Sequence, residues 1–246
     1  MEPAFVDCHS HVVPSGDDGA ATVSDGRRLC VEAARRGTRI LFATPHVWPH
    51  LPLDARREEE VRRAHARLAQ GLPLELRLGF ELTPSRALLA DDLRRYALEA
   101  VDAVLMEVPF TGPAEPVFAL AERAQEQGLR PVVAHPERAE AVHDDPVLAL
   151  ELAERGWLLQ VNATSLLGRH GPRSQELAWE LLDARRVALV GSDGHRTTRP
   201  PHLDDAYAAV RERLGEEAAR PLFDGSALGL EAVSAPAPSR GATPAA

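Results

Sequence analysis

Cysteine is scarce in this chain: Cys8 and Cys30 are the only two in 246 residues. Neither belongs to a C-x-x-C pair, which excludes a disulfide framework or a thiolate zinc site as the organising feature. Positive charge is also in deficit, with 28 basic against 37 acidic residues and a net charge of -9. That balance argues against broad electrostatic attraction to nucleic acid or to an anionic membrane, so any phosphate-bearing ligand must be held locally. No apolar run is long enough to span a bilayer, and the start, MEPAFVDCHSH, lacks the basic and apolar regions of a signal peptide. A cytoplasmic protein with reduced thiols is expected.

What is present is the composition of a folding chain, 44% apolar and 26% charged. The length suits one large core, and α/β barrels commonly reach it undivided. One domain is expected over residues 1–231. From about Ala232 the sequence becomes VSAPAPSRGATPAA, too poor in large apolar residues to pack, and residues 232–246 are expected to be a disordered tail. There is no internal repeat.

Short apolar runs alternate with amphipathic stretches, the pattern of βα units wound around a mostly parallel sheet. The expected strands are AFVDCH, RILFATPH, LELRLGFEL, AVLMEVPF, RPVVAHP, WLLQVNA and VALVGSD. Helices are expected over 24–36, 54–70 and 114–127, each before a glycine, and over about 146–155, 173–184 and 203–214. The mixed charges of DARREEEVRRAHARL read as a solvated helix face. In parallel α/β folds ligands bind at the carboxyl ends of strands, where loops gather side chains from distant parts of the sequence.

The histidines and acids fall at those ends. Asp7, His9 and His11 close the first strand, and Asp17 and Asp18 follow in the next loop. Alternate strand residues share a face, so His9 and His11 point the same way, as two imidazoles binding one cation must. His46, Glu81, Glu107 and His135 recur at successive strand ends, and Asp193 and His195 close the series. An isolated Glu107 inside VLMEVPF would be an expensive buried charge, and a cation would neutralise it. A His and carboxylate set without thiolate suits manganese, iron, zinc or magnesium. Ions sharing a water could lower its pKa to about 7, a hydrolase chemistry. Asp7 and Asp17 fit either of two roles, orienting ligating histidines or capping strand ends and turns. His50, His65, His143, His170 and His202 lack strand-end positions and are expected at the surface. Cys30 and Arg36 have the C-x5-R spacing of cysteine-dependent tyrosine phosphatases, but the intervening VEAAR favours helix over the glycine-bearing loop that cradles phosphate.

In order and approximate spacing, DCHSH with DDG, ATPH, GFE, MEVPF, AHPER, VNA and GSDGH with a later RPP resemble the polymerase-and-histidinol-phosphatase (PHP) family. Within it they are similar to the bacterial manganese-dependent tyrosine-protein phosphatases of capsule and exopolysaccharide gene clusters. The resemblance implies a distorted (β/α)7 barrel with three divalent metals, manganese first among them. His9, His11, Glu81 and Asp193 would hold one metal. Glu81 would bridge to a second, held also by Glu107 and His135, and Asp18, His46 and His195 would hold the third. Arg138 and Arg199 would bind phosphate oxygens, because guanidinium makes paired, charge-assisted hydrogen bonds. Ala139 departs from the pattern, standing where many relatives carry an aromatic residue, and the segment from His195 to Arg199 is slightly short.

The implied substrate is a phosphotyrosine-bearing protein, the tail of a bacterial tyrosine kinase that controls polysaccharide export. Phosphotyrosine suits such a site because its leaving phenol, with a pKa of about 10, needs less general-acid help than an alkyl alcohol. Two alternatives stand beside it: a phosphatase of a small phosphomonoester such as histidinol phosphate, and a noncatalytic metal-binding scaffold. The oligomeric state is open.

Overall fold

The structure, a computed structural model, describes residues 4–230, so the expected disordered tail lies outside the described residues. Its strands are β1 (Phe5–Ser10), β2 (Thr38–Ala43), β3 (His46–Val47), β4 (Glu75–Leu78), β5 (Glu81–Leu82), β6 (Ala103–Glu107), β7 (Arg130–Ala134), β8 (Leu158–Asn162) and β9 (Val187–Gly191). Every strand pairing is parallel. One sheet has the order β1-β2-β4 and the other β3-β5-β6-β7-β8-β9. The end of β1 meets the segment that follows β9, where His11 N donates to Gly194 O at 2.7 Å and Asp193 N to His9 O at 2.9 Å.

Alternation along the strands divides the apolar residues between two cores, as a period of two requires. Ile40, Phe42, Leu105, Val132 and Leu189 pack into one cluster. Their neighbours Leu41, Val104, Val133 and Val190 join the other, together with the helix residues Leu29, Val61, Leu120 and Leu181.

The fold is therefore α/β with parallel sheets, as expected, but two expected strands are broken. The run 39–46 splits into β2 and β3, and the run 74–82 into β4 and β5. Pro45 sits in the first break and has no N–H for a ladder. At the second, a Cβ on Gly79 would lie 2.6 Å from Leu98 Cδ2 and 3.2 Å from Leu98 Cα, so glycine lets the chain pass close against Leu98.

The long helices fall within a residue or so of expectation: Val23–Arg35, Ala55–Ala69, Glu115–Glu126, Val147–Glu154, Pro172–Asp183 and Asp204–Leu214. Their caps explain the starts, with the Thr22 hydroxyl accepting from Asp25 N and the Asp54 carboxylate from Arg57 N. The charged helix is solvated along most of its length, with one correction. Arg57 is buried and donates to the carbonyls of Ser15, Leu51 and His46 at 3.0, 2.7 and 2.7 Å. No helix among the described residues is long and apolar enough to cross a membrane.

Candidate metal centre

Chain direction explains the convergence. All strands run parallel, so their carboxyl ends lie on one side, and β1, β6, β7 and β9 deliver His9, Glu107, His135 and Asp193 there. The two short strands after the breaks begin with His46 and Glu81, which pair in register. In β1 the register slips between Asp7 and Ser10, a bulge of the kind that re-aims side chains next to a site. Past it, the Nε2 atoms of His9 and His11 approach to 3.1 Å.

Glu81 is the hub. One carboxylate oxygen lies 3.1 Å from His9 Nε2, 3.2 Å from His11 Nε2 and 3.1 Å from His46 Nδ1. The other lies 2.9 Å from His135 Nε2. Asp193 Oδ1 is 3.5 and 3.4 Å from the same His9 and His11 nitrogens, which assembles His9, His11, Glu81 and Asp193 around one point. His11, Asp18, His46 and His195 form a second set with ligand atoms within 4.8 Å of one another. Glu107 groups with Glu81 and His46, and His135 groups with Glu81 and His9. All nine expected donors thus share one centre, with Glu107 and His135 meeting through Glu81.

These residues fit divalent cations. Burial opposes charge on Glu81 and Asp193, yet the surrounding imidazoles, His9 foremost, hold both carboxyls well below their usual range. Burial also opposes charge on His9, which Glu81 and Asp193 nonetheless raise. Glu107 moves the other way, pushed up to about 8 by burial and by the charge of Glu81. His46 is held down at about 3 by burial, so it is neutral at pH 7 and has a lone pair to give. The Nε2 atoms of His9 and His11 stand 3.1 Å apart beside the carboxylates of Glu81 and Asp193, so a cation at this point would meet both nitrogens and both oxygens. The donors are nitrogen and carboxylate oxygen only, the set that first-row divalent ions take.

Backbone conformation carries part of the arrangement. His135 and Asp193 have φ of 36° and 51°, left-handed values that non-glycine residues seldom adopt and that cluster at functional sites. Gly194 is required next to Asp193, because a Cβ there would lie 2.6 Å from Pro201 Cα and N. That contact seats the RPP segment, and the Arg196–Arg199 turn, closed by His195 N donating to Arg199 O at 2.8 Å, brings Arg199 back over the donors.

Arg138 and Arg199 line the same cavity of about 210 Å³ as Asp18, His46, Glu107, His135, Asp193 and His195. Arg138 donates to Asp193 Oδ2 at 2.7 Å, and Arg199 lies 3.8 Å from that oxygen. Asp17 fills both roles open to it: its Oδ2 lies 3.5 Å from His11 Nδ1 and accepts from His46 N, while Oδ1 caps Gly19 N. Asp7 instead ties strand ends together, accepting from His9 N and Ser192 N.

Sequence reading missed three polar residues. Gln160 Oε1 accepts from His9 Nδ1 at 2.8 Å, Gln160 Nε2 donates to Asn162 Oδ1, and Asn162 Nδ2 donates to Asp193 Oδ2 at 2.8 Å. Their signal was available, since two amides spaced by two at the end of an apolar strand share a face. Glu137 is fully buried and accepts from Ser165 Oγ and Asn162 N. The surface assignment holds for His50 and is corrected for His65, His143, His170 and His202, which are half-buried. His143 bonds Glu137 O, His170 bonds Ser165 Oγ, and His65 bonds Leu76 O. Cys30 lies buried inside the first helix, its thiol pushed up to about 12 by burial.

Residues 5–228 match the family model described as capsular polysaccharide synthesis, CpsB/CapC. The tyrosine-protein phosphatase YwqE of Bacillus subtilis is 30% identical, over 87% of this chain and 86% of its own. CpsB of Streptococcus pneumoniae, also named a tyrosine-protein phosphatase, is 24% identical over 89% of this chain and 95% of its own. A crystal structure from work on YwqE and CpsB, described as unique metal-dependent tyrosine phosphatases, superposes with a TM-score of 0.80 at 29% identity, covering 89% and 91% of the two chains. The D-hydantoinase of a Thermus species shares the fold alone, at 13% identity and a TM-score of 0.58 over 89% of this chain and 68% of its own. The chain belongs to the CpsB/CapC family of capsular polysaccharide synthesis.

Proposed function

We propose that this chain is a metal-dependent protein-tyrosine phosphatase. The observation that carries the proposal is a single buried centre of His and carboxylate donors, floored by Glu81 and rimmed by Arg138 and Arg199, in a chain similar to YwqE. Three divalent ions, manganese first among them, would be held by His9, His11, Glu81 and Asp193; by Glu81, Glu107 and His135; and by Asp18, His46 and His195. When bound, such ions acidify water and offset the negative charge of a phosphoryl group.

The chain's own groups do the rest. Arg138 and Arg199 present planar guanidinium donors to the equatorial oxygens, where charge is spread during in-line displacement. Asp193 aims Arg138 through its Oδ2 oxygen, and Gln160 fixes the tautomer of His9 by accepting its Nδ1–H. Neither thiol lines the cavity, both being buried among apolar residues, and no covalent enzyme intermediate is required.

Taking β2 with β3 and β4 with β5 as two broken strands leaves seven positions around the centre, which supports a distorted seven-stranded PHP-type barrel in one domain. A phosphorylated bacterial tyrosine kinase tail is the proposed partner and the cytoplasm the proposed site of action; the family's connection with capsule synthesis supports a partner from that process.

The test is hydrolysis of a phosphotyrosine peptide by purified protein with added manganese, beside a chelated sample and a His9→Ala, His11→Ala variant. Activity lost in both controls supports the reading. No hydrolysis by protein that binds the metal stoichiometrically overturns it.

A further inference from the structure

Two aromatic side chains at the mouth of the cavity have no task in the metal centre. Phe110 is one of only three large apolar residues exposed among the described residues, at 42%, and the other two do not line this cavity. What sets Phe110 apart is its place on the cavity wall beside His135 and Arg138. Its ring stacks on that of His135, centroids 5.4 Å apart at 26°, and the Arg138 guanidinium lies 4.4 Å from its centroid. Its carbonyl accepts from Glu140 N at 3.0 Å, which ties the loop to the segment bearing Arg138.

Trp48 is half-buried and flanks the cavity from the His46 side. Its ring stacks on His46 at 4.3 Å and 24°, and on His50 at 5.2 Å and 21°. Its carbonyl accepts from Leu51 N at 3.0 Å, and buried Arg57 grips the same loop through the carbonyls of His46 and Leu51. Both rings are therefore held by residues of the centre, and neither belongs to the buried hydrophobic core.

We propose that Trp48 and Phe110 are the walls of an aryl slot that receives the ring of an aromatic phosphomonoester while its phosphoryl group reaches Arg138 and Arg199. The proposal rests on the phosphotyrosine reading and adds to it the residues that select aryl over alkyl esters. The cavity, at about 210 Å³, is smaller than the roughly 300–1,000 Å³ usual for small-molecule sites, and suits one side chain entering ring-last. Aromatic pairs in offset or edge contact stabilise an arriving ring beyond its burial, by about tenfold in affinity for each wall. The mode of binding differs from that of an alkyl phosphate, which would meet only the arginines and the metal ligands.

Phosphonates isolate this selectivity because they lack a leaving group. Calorimetric titration of manganese-loaded protein with phenylphosphonate and methylphosphonate gives the affinity ratio directly. Wild type should favour the phenyl compound by about 100-fold, and Phe110→Leu and Trp48→Leu should each reduce that ratio about tenfold. Phe110→Tyr and Trp48→Phe, which retain a ring, should keep most of it, and they also cover any failure of the leucine variants to fold. Equal affinities in wild type, or ratios unchanged in the leucine variants, overturn the slot. A protein that prefers phenylphosphonate but leaves phosphotyrosine peptide intact supports the slot and sinks the phosphatase reading. A protein that hydrolyses the peptide with ratios unchanged in the leucine variants does the reverse.

Discussion

One carboxylate joins the two halves of the site: Asp193 accepts from Arg138 at 2.7 Å through Oδ2, while its Oδ1 lies within 3.5 Å of both His9 and His11. An arginine aimed by a candidate metal ligand sits where a phosphoryl group bound at the centre must pass. Replacing Arg138 by Lys keeps the charge and loses the planar fork. Arg138→Lys and Arg199→Ala are each expected to lower kcat/KM on phosphotyrosine peptide by about 100-fold while leaving metal content intact. Steady-state kinetics beside elemental analysis check this, and normal kinetics in either variant would remove that arginine from the mechanism.

Gln160 and Asn162 touch His9 and Asp193 without being donors of the centre. Removing such supporting partners typically weakens a site by about 10–100-fold. Gln160→Leu is expected to weaken manganese binding by that amount, with Asn162→Ala weaker still in its effect on Arg138 alignment. Metal titration followed by calorimetry would detect it; wild-type affinity in Gln160→Leu would show that the His9 ring needs no such anchor.

Glu107 gives the metal-free protein a pH dependence. Its carboxyl is pushed up to about 8 by burial and by Glu81, against an ordinary 4.5. Between those values the folded state holds a proton that the unfolded chain has lost, so stability falls as pH rises through this window. Thermal unfolding of chelated protein should show a Tm that declines from pH 6.5 to 8.5, and Glu107→Gln should flatten the decline. Metal uptake at pH 7 should release protons, measurable in weakly buffered solution. A Tm slope identical in the variant would count against a buried, protonated Glu107.

Gly194 allows the RPP segment to pack behind Asp193. A methyl group there would meet Pro201 backbone at 2.6 Å. Gly194→Ala is expected to cost about 1–3 kcal/mol, the usual range for overpacking, and to displace Arg199. Denaturant unfolding and phosphate-analogue binding would both register the change.

The C-x5-R match at Cys30 makes its own prediction, since the thiol lies inside a helix with burial raising its pKa to about 12. Cys30→Ser should retain phosphatase activity, and iodoacetamide should leave the native enzyme active. Inactivation by either would revive a cysteine nucleophile.

Most of the donor set was legible because strand periodicity and strand-end placement are local properties. His9 and His11 share a face by spacing alone, and Glu107 declared itself as a carboxylate inside an apolar run. The breaks at Pro45 and Gly79 were harder to read, because flanking apolar residues on both sides mask them. Arg57 was misjudged for a related reason: a helix of mixed charge gives no local sign of which arginine turns inward, and only the carbonyls of Ser15, Leu51 and His46 decide it.

By itself the sequence determined the parallel α/β class, the helix limits, the chemical type of each donor and the family resemblance, all of which follow from local spacing and residue identity. Tertiary structure alone decided that Glu81 would lie within 3.2 Å of His9, His11, His46 and His135 at once, that Gln160 and Asn162 would hold His9 and Asp193, and that Trp48 and Phe110 would line the entrance. The His9–Gln160 hydrogen bond joins residues 151 positions apart. Which strand ends meet depends on strand order, breaks and bulges, and these are set by packing of the whole chain rather than by any one segment.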